Sequence, residues 1–515
     1  MIYRVFIIVS FTFLSNTVFA QNWIEQVKIS SDNRGEFKRY GSDFDIHNGV
    51  LFTSDQLTEN GQVLIKEKDS IGIWHTKQIL TPLSPSTENA YHTAVDFGSS
   101  IALSGKYLVI GADKSEYLTP SGVVYIYEDI NGKWEFLQTI IPPNPEQDDF
   151  FGAEVAIDGD VIVVSRRDYV SNNGQGSVFI YELDGNKFTF KQKLNGSEIN
   201  DWDVFGDRIA VNGDYIVASS GLESQFERTS EEGDLTGGAY VFKKDSTGNW
   251  SEIHHLLPPG KSVGGMFGDG LFLGDSIMFI GAPKDGLYID ENSSLIEVGS
   301  VCQYSLSEEG SWEFISKITS PSRNENSNFG SSISFAENRL VISAPKDLNL
   351  NGINTGRIYS FTNKSGQWNF VSHVEAKGSN EGDLFGNTIK SDGTNLFIGS
   401  NQHSFGDTLD EELIYSGAIY HFKWLNTEST DELNYKPEST LFPNPSNGKV
   451  FIDFNGKFSS GTYNVVSMNG KNILKASFIE KNVLEINLGD AQGIFFIDVV
   501  GNNGLQSVHR FVKTK

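Results

Sequence analysis

A single cysteine in 515 residues excludes any intrachain disulfide, so packing and hydrogen bonding must hold this chain together. That residue, Cys302, stands in a strand-like run with no histidine beside it at a recognisable spacing, and reads as a small buried hydrophobe rather than a catalytic thiol. Beyond residue 20 no segment approaches the ~18 consecutive apolar residues that a membrane span requires. Positive charge is scarce. Forty Lys and Arg stand against 66 Asp and Glu, a net charge of −26, which argues against a nucleic-acid partner. The nine histidines, among them His254-His255 and His403, form no His-Glu-x-x-His, and no Gly-x-Ser-x-Gly elbow follows a strand and opens a helix.

What is present begins at the N-terminus. Residues 1–20 carry Arg4, an apolar stretch over 5–14, and Val18-Phe19-Ala20 before Gln21, the layout of a secretory signal peptide. No cysteine follows the cleavage position, so lipid attachment there is not supported.

An aromatic-Gly pair then recurs at Tyr40-Gly41, Phe97-Gly98, Phe151-Gly152, Phe205-Gly206, Phe267-Gly268, Phe329-Gly330 and Phe385-Gly386, at intervals of 57, 54, 54, 62, 62 and 56 residues by subtraction. Near-fixed self-similarity of this length fixes the architecture before any local reading does. Each copy predicts four strands. One follows the Phe-Gly pair and ends at a dipeptide such as Ser104-Gly105 or Asp158-Gly159, suited to a tight hairpin. The next is the most apolar, the third starts at glycine (Gly122, Gly176, Gly417), and the fourth opens on Trp134, Trp250, Trp312 or Trp368, with Phe188 standing in once. Nearly continuous apolar runs suit sheets covered on both faces, which radially stacked blades provide. The seventh copy lacks its Trp-led strand, and a matching run, Trp23 to Ile29, precedes the first copy. The expectation is an all-β chain: a seven-bladed β-propeller over 21–425, closed by its N-terminal strand, which removes two open sheet edges.

In such a blade, connections from strand two to three share a face with those between blades. Here these are long and variable, as at 166–174, 220–237, 284–298 and 401–416, or 142–149, 195–204 and 258–266. The opposite-face turns are short. Binding residues favour variable loops on a rigid scaffold, so Tyr91, His92, Tyr169, Trp202 and Phe226 are the candidate ligand contacts. The alternative is that these loops are tolerated insertions. Asp347, Asn349 and Asn351 place oxygens at alternate positions before Gly352, like half of a calcium loop, but no distal acid follows, and a plain Asx-rich turn is the favoured reading. Asp148-Asp149 and the pair Asp201 and Asp203, before their Phe-Gly pairs, are expected to be solvated charges at the rim.

Phe-Gly followed by Ile280-Gly281-Ala282-Pro283, with Ile342-Ser343-Ala344-Pro345 as a second instance, resembles the FG-GAP repeat of integrin alpha-chain propellers and their bacterial relatives, over roughly residues 23–424. In that family calcium loops lie between strands one and two; here that place holds two-residue turns. The resemblance implies a propeller and leaves activity open, since one fold hosts many functions.

After residue 425 the repeat stops. Residues 426–439 are polar and acidic with Pro437, a linker. Residues 440–515 alternate short strands with turns such as Asn469-Gly470, which predicts a small Ig-like β-sandwich. This segment carries eight Lys/Arg and five Asp/Glu, net +3, which leaves −29 for residues 1–439. It resembles the type A sorting domain of type IX secretion substrates through Pro443-Asn444-Pro445, the Asn469-Gly470 turn, Gly493-Ile494-Phe495-Phe496 and the basic tail with Lys513. The family's usual Gly-x-Tyr-x is here Gly-Ile-Phe-Phe, a mild departure. A spacer or carbohydrate-binding Ig-like module is the alternative. The resemblance implies two-step export to the cell surface or the medium by the type IX machinery.

Two function classes follow. One is a non-enzymatic, adhesin-like binding protein, expected to be a monomer, that recognises an extracellular protein or glycan through the long-loop face. The other is a propeller hydrolase or lyase with its site at the axial channel mouth, where Arg166-Arg167-Asp168-Tyr169 is the one suggestive loop start.

Overall fold

The computed structural model describes residues 22–31, 39–55, 61–69, 72–82, 96–114, 116–117, 119–168, 173–222, 236–259, 265–290, 293–295, 297–349, 352–376, 379–404, 416–425, 440–442, 449–453, 460–467, 472–479, 483–487, 493–501 and 506–513. It divides into two compact units, Gln21–Leu425 and a second that includes Asn426–Lys515. The described residues contain strands and no helix.

Within the larger unit the described strands form seven four-stranded antiparallel sheets. The first runs Phe44–His47, Val50–Asp55, Gln62–Lys68, Trp74–Leu80, in chain order. Five more repeat that order. In the seventh, Ile389–Ser391, Asn395–Ser400 and Ala418–Leu425 are joined by Asn22–Ile29 from the other end of the chain, with Trp23 opposite Trp424 and Ile29 opposite Ile419.

The repeated residues have repeated jobs. In all seven sheets the N–H of the Phe-Gly glycine donates to a carbonyl late in the second strand of its own sheet, from Gly41 to Ser54 through Gly386 to Gly399. Those glycines have φ between 77° and 107°, a region closed to most L-residues. The preceding aromatic ring is buried between neighbouring sheets, and its backbone bridges back to the glycine that opens the third strand of the sheet before: Gly61 to Phe97, Gly237 to Phe267, Gly299 to Phe329. The last such bridge joins Gly417 to Tyr40. Asn387 and Thr388 also donate to the Ser42 carbonyl, at 3.2 and 2.8 Å.

The core lies between sheets rather than within one. Tyr107, Val109, Val124 and Ile126 of the second sheet pack on Phe151, Val155, Ile162 and Val164 of the third, and the same arrangement recurs along the unit. Second strands and the opening stretch of third strands are therefore buried, as in Tyr107–Ala112. Fourth strands are outermost and half exposed. Each pairs with its third strand through a register shift, for example between Ile126 and Tyr127, and such bulges twist a free edge away from further pairing.

In the second unit, Thr440–Phe442, Lys449–Asp453 and Val483–Asn487 make one sheet and Ser460–Ser467, Asn472–Ile479, Gly493–Gly501 and Gln506–Lys513 another. Val450, Ile452, Leu484 and Ile486 of the first pack with Tyr463, Val465, Phe478, Phe495, Ile497 and Val499 of the second, the layered core that alternating burial dictates. Gly493 and Lys513, both named from the sorting-domain resemblance, sit opposite one another in register. Pro443, Asn444 and Pro445 lie outside the described residues.

Candidate functional site

A cavity of about 880 Å³ is lined by the first strands of all seven sheets. Its wall follows from the repeat. Two residues after each Phe-Gly pair stand Asp43, Ser100, Glu154, Arg208, Gly270, Ser332 and Thr388; two further on stand Asp45, Ala102, Ala156, Ala210, Phe272, Ser334 and Lys390. Most are small, which keeps the space open. The first strand of each sheet is an edge strand, so its outward N–H groups need acceptors. Neighbouring side chains supply them: Ile101 N–H donates to Asp43 Oδ2 (2.6 Å), Val155 to Ser100 Oγ (3.1 Å), Ile389 to Ser332 Oγ (3.1 Å) and Leu103 to Asp45 Oδ2 (3.3 Å).

The ionic residues of this wall face one another. Arg208 lies 3.8 Å from Glu154 and 3.6 Å from Asp269, and Lys390 lies 4.0 Å from Asp45. Water reaches these groups along the cavity, yet protein surrounds them on every side, which disfavours charge. Burial pushes the Glu154 carboxyl up to about 7 although Arg208 pulls it back, and Asp43 up to about 6 against the pull of Lys390. Lys390 is raised, chiefly by Asp45. A carboxyl poised near neutrality in a cleft is able to exchange protons there.

The connections around this cavity divide by length. First and second strands are joined by tight turns, Ser104 to Tyr107, Asp158 to Val161 and Asn212 to Tyr215, while second and third strands are separated by the spans Ser220 to Gly238 and Ser400 to Ala418. Of the residues predicted on the long connections, Tyr91, His92, Tyr169 and Phe226 lie outside the described residues. Trp202 is described. Half exposed at 49%, it lies over Gly174, where a Cβ would meet its ring at 2.7 Å. The two loops are also tied by Asn173 and Gln175 donating to Asp201 (3.1 and 2.9 Å). A broad aromatic surface is thus held by a neighbouring loop.

Other predicted residues turn inward. Asp347 is fully buried, and its carboxylate accepts from Ser322 (3.0 Å), Asn324 (2.6 Å), the Leu348 N–H (2.8 Å) and the Tyr359 hydroxyl. Asn349 Oδ1 accepts from the Ile353 N–H at 3.1 Å and closes a turn, and Asn351 lies outside the described residues. Among the described residues no group of three or more His, Cys, Asp or Glu is placed to hold a metal. Arg166, buried, pairs with Asp168 and lies 3.4 Å from Asp149; among the described residues of that run only Arg167 lines the cavity. Cys302 is 1% exposed, and burial pushes its thiol up to about 12.

The expectation that the acids before the Phe-Gly pairs are solvated needs correction. Asp148 and Asp201 are exposed, but Asp149 and Asp203 are fully buried. Asp203 Oδ2 accepts the Asn200 N–H at 2.7 Å, and Asp383, at the equivalent place, accepts from Asn380 (2.8 Å) and contacts His403 (2.6 Å). Position in the repeat decides which acid turns in: the one two residues before the aromatic. A second buried set, Asp55, Asp168, Asp285 and Asp347, lies at or just beyond the ends of the second strands, with Asp285 bonded to Ser300 (2.6 Å) and Lys317 (2.5 Å). Aligning the copies on the aromatic-Gly pair exposes the first series, whereas the second set falls 14, 16, 17 and 17 residues after the glycine by subtraction and shares no single place.

Residues 440–514 match the family described as Secretion system C-terminal sorting domain, and residues 134–181 and 312–361 each match the FG-GAP repeat. No curated protein matches the chain. Among solved structures it is similar to PorZ of Porphyromonas gingivalis, described as an essential bacterial surface component of the type IX secretion system, at 11% identity and a TM-score of 0.45, over 95% of this chain and 61% of that one. It is also similar to a protein from Lactobacillus plantarum at 12% identity and a TM-score of 0.39, over 66% of this chain and 85% of that one. The chain thus spans 61% of the length of the first of these structures.

Proposed function

We propose that this FG-GAP-repeat protein, which its sorting domain routes through type IX secretion to the outer cell surface or the medium, is a non-enzymatic binding protein. In this reading the seven sheets are the blades of one β-propeller closed by the strand Asn22–Ile29. Met1–Ala20 is a signal peptide, 426–439 a linker, and an adhesin-like contact with an extracellular protein or glycan forms on the long-connection face. Trp202 contributes there, with Tyr91, His92, Tyr169 and Phe226 as further contacts.

The observation that carries this reading is the unequal length of the connections. Two-residue turns leave little side-chain variety for recognition, whereas the opposite connections gather long, variable segments on a rigid scaffold. The acids that would serve catalysis near those loops are spent on the fold: Asp149 and Asp168 on Arg166, Asp285 on Lys317, Asp383 on His403. Asp347, saturated by protein donors, braces its loop rather than offering oxygens to calcium.

One observation favours a second reading, an enzyme using the central cavity: Glu154 and Asp43 are held near neutrality beside Arg208 and Lys390. A glycan and peptide array probed with the purified chain, run beside an untargeted hydrolase and lyase panel, separates the two. Saturable capture without turnover supports binding. Turnover abolished by Glu154→Gln would replace it with the enzyme reading.

A further inference from the structure

Both buried histidines among the described residues, His403 and His421, stand where the seventh sheet meets the first sheet and the N-terminal strand. The position of His421 in the third strand is occupied in the other six sheets by Ile65, Ile126, Ile180, Val241, Gln303 and Ser360, none ionisable. The departure is confined to the junction between the two ends of the repeat. Resting on the closed-ring reading above, we propose that His421 makes ring closure acid-sensitive: the neutral imidazole joins the seventh blade to the first, and protonation parts them.

The contact that ties the ring to the first sheet requires the neutral form. Lys68, on the third strand of the first sheet, lies with Nζ 3.1 Å from His421 Nδ1 and must donate to a lone pair there. The proton on Nε2 is then given to Asn395 Oδ1, 2.9 Å away. The ring stacks on Phe397 at 4.5 Å and meets Trp74 of the first sheet edge-on at 6.3 Å. Of the charged groups that act on it from farther off, Lys423 opposes protonation and Asp392 favours it. A second proton would remove the acceptor and set a cation against Lys68. His403 differs in its partners, with the Asp383 carboxylate at its Nδ1 (2.6 Å) as well as Lys28 at its Nε2 (3.1 Å). His421 has only a neutral amide on its second nitrogen.

Burial first, and Lys68 next, depress the His421 pKa from 6.5 to about 4. The depressed value fixes the sign. The stabilisation is complete above the unfolded value, is lost as pH falls from 6.5 towards 4, and below that the loss is total. Well below pH 4 the opening equilibrium should have shifted by about 300-fold in favour of the open form, of which about 80-fold is reached by pH 4.5.

The test is amide hydrogen exchange on the full chain between pH 7.5 and 4.5, corrected for intrinsic rates. It compares Trp23 to Ile29 and Ala418–Leu425 with the interior strand Val161–Arg166. Protection at the junction should fall with pH while Val161–Arg166 stays protected. His421→Gln, which keeps a neutral acceptor and donor, should flatten that pH dependence; Lys68→Gln, which leaves the junction core in place, should weaken it. Parallel profiles in parent and both variants would overturn the proposal while leaving closure intact. No protection of Trp23 to Ile29 at pH 7.5 would overturn closure itself, and the proposal with it.

Discussion

Two glycines with the same backbone angle offer a direct measure of what the inter-sheet bridges contribute. Gly299 and Gly366 both have φ of +84°. Around Gly366 nothing lies within 4 Å of a built Cβ, whereas at Gly299 that atom would sit 2.1 Å from the Phe329 carbonyl oxygen and 2.6 Å from its nitrogen. Gly366→Ala therefore costs only the left-handed conformation, about 1–2 kcal/mol. Gly299→Ala carries that cost too, and must also push the sixth sheet's Phe-Gly backbone away from the fifth. That disturbs the Phe329 N–H to Val298 carbonyl bond and the seat of a fully buried ring. Overpacking of this kind adds about 1–3 kcal/mol, so the total is about 2–5 kcal/mol. Equilibrium urea unfolding, followed by tryptophan fluorescence and circular dichroism together, reads the difference. Equal destabilisation by the two variants would refute the claim that the third-strand glycine exists to let the next sheet approach.

Three further outcomes are expected. Trp23→Ala removes a ring 5% exposed, edge-on to Trp424 at 5.0 Å and donating to Ser360 Oγ at 2.7 Å; it should cost about 3–5 kcal/mol in urea unfolding, and a parent-like midpoint would count against closure by this strand. A signal peptide and residues 440–515 fused to an inert reporter should carry it outside a host with type IX secretion; periplasmic retention in a host that exports its own substrates would contradict the sorting role. Chelator should leave the melting temperature unchanged, while Asp347→Ala, which strands Tyr359 and Asn324, should lower it; a chelator-dependent parent and an insensitive variant would restore calcium to that loop.

The repeat was legible because its residues are dictated by backbone geometry. A glycine at φ near 90° and a ring buried beside it leave few substitutes, so an aromatic-Gly pair stands out in every copy, and Trp23 to Ile29 matches in sequence the strand missing near Trp424. The acids were harder to read. Asp149 and Asp148 are neighbours of identical chemistry, one buried and one exposed, and only their offset from Phe151 distinguishes them. The ionic wall of the central cavity was hidden for the same reason: Glu154, Arg208 and Lys390 become conspicuous only against the Ser, Ala, Gly and Thr that hold most of the other places. His421 passed unnoticed in a strand that reads as apolar, because nothing local reveals that Lys68, 353 residues away, is its partner.

The face that takes the ligand is open to direct measurement. Once an array names a captured glycan or peptide, its affinity should be measured by titration for the parent, for a chain shortened within residues 222–235, and for one altered in the opposite-face turn at 245–248. Shortening the long connection should weaken capture at least tenfold with little change in melting temperature, since surface loop length contributes little to stability. The turn variant should bind as the parent does. Equal loss in both variants, or loss in neither, would contradict the assignment of binding to the long-connection face.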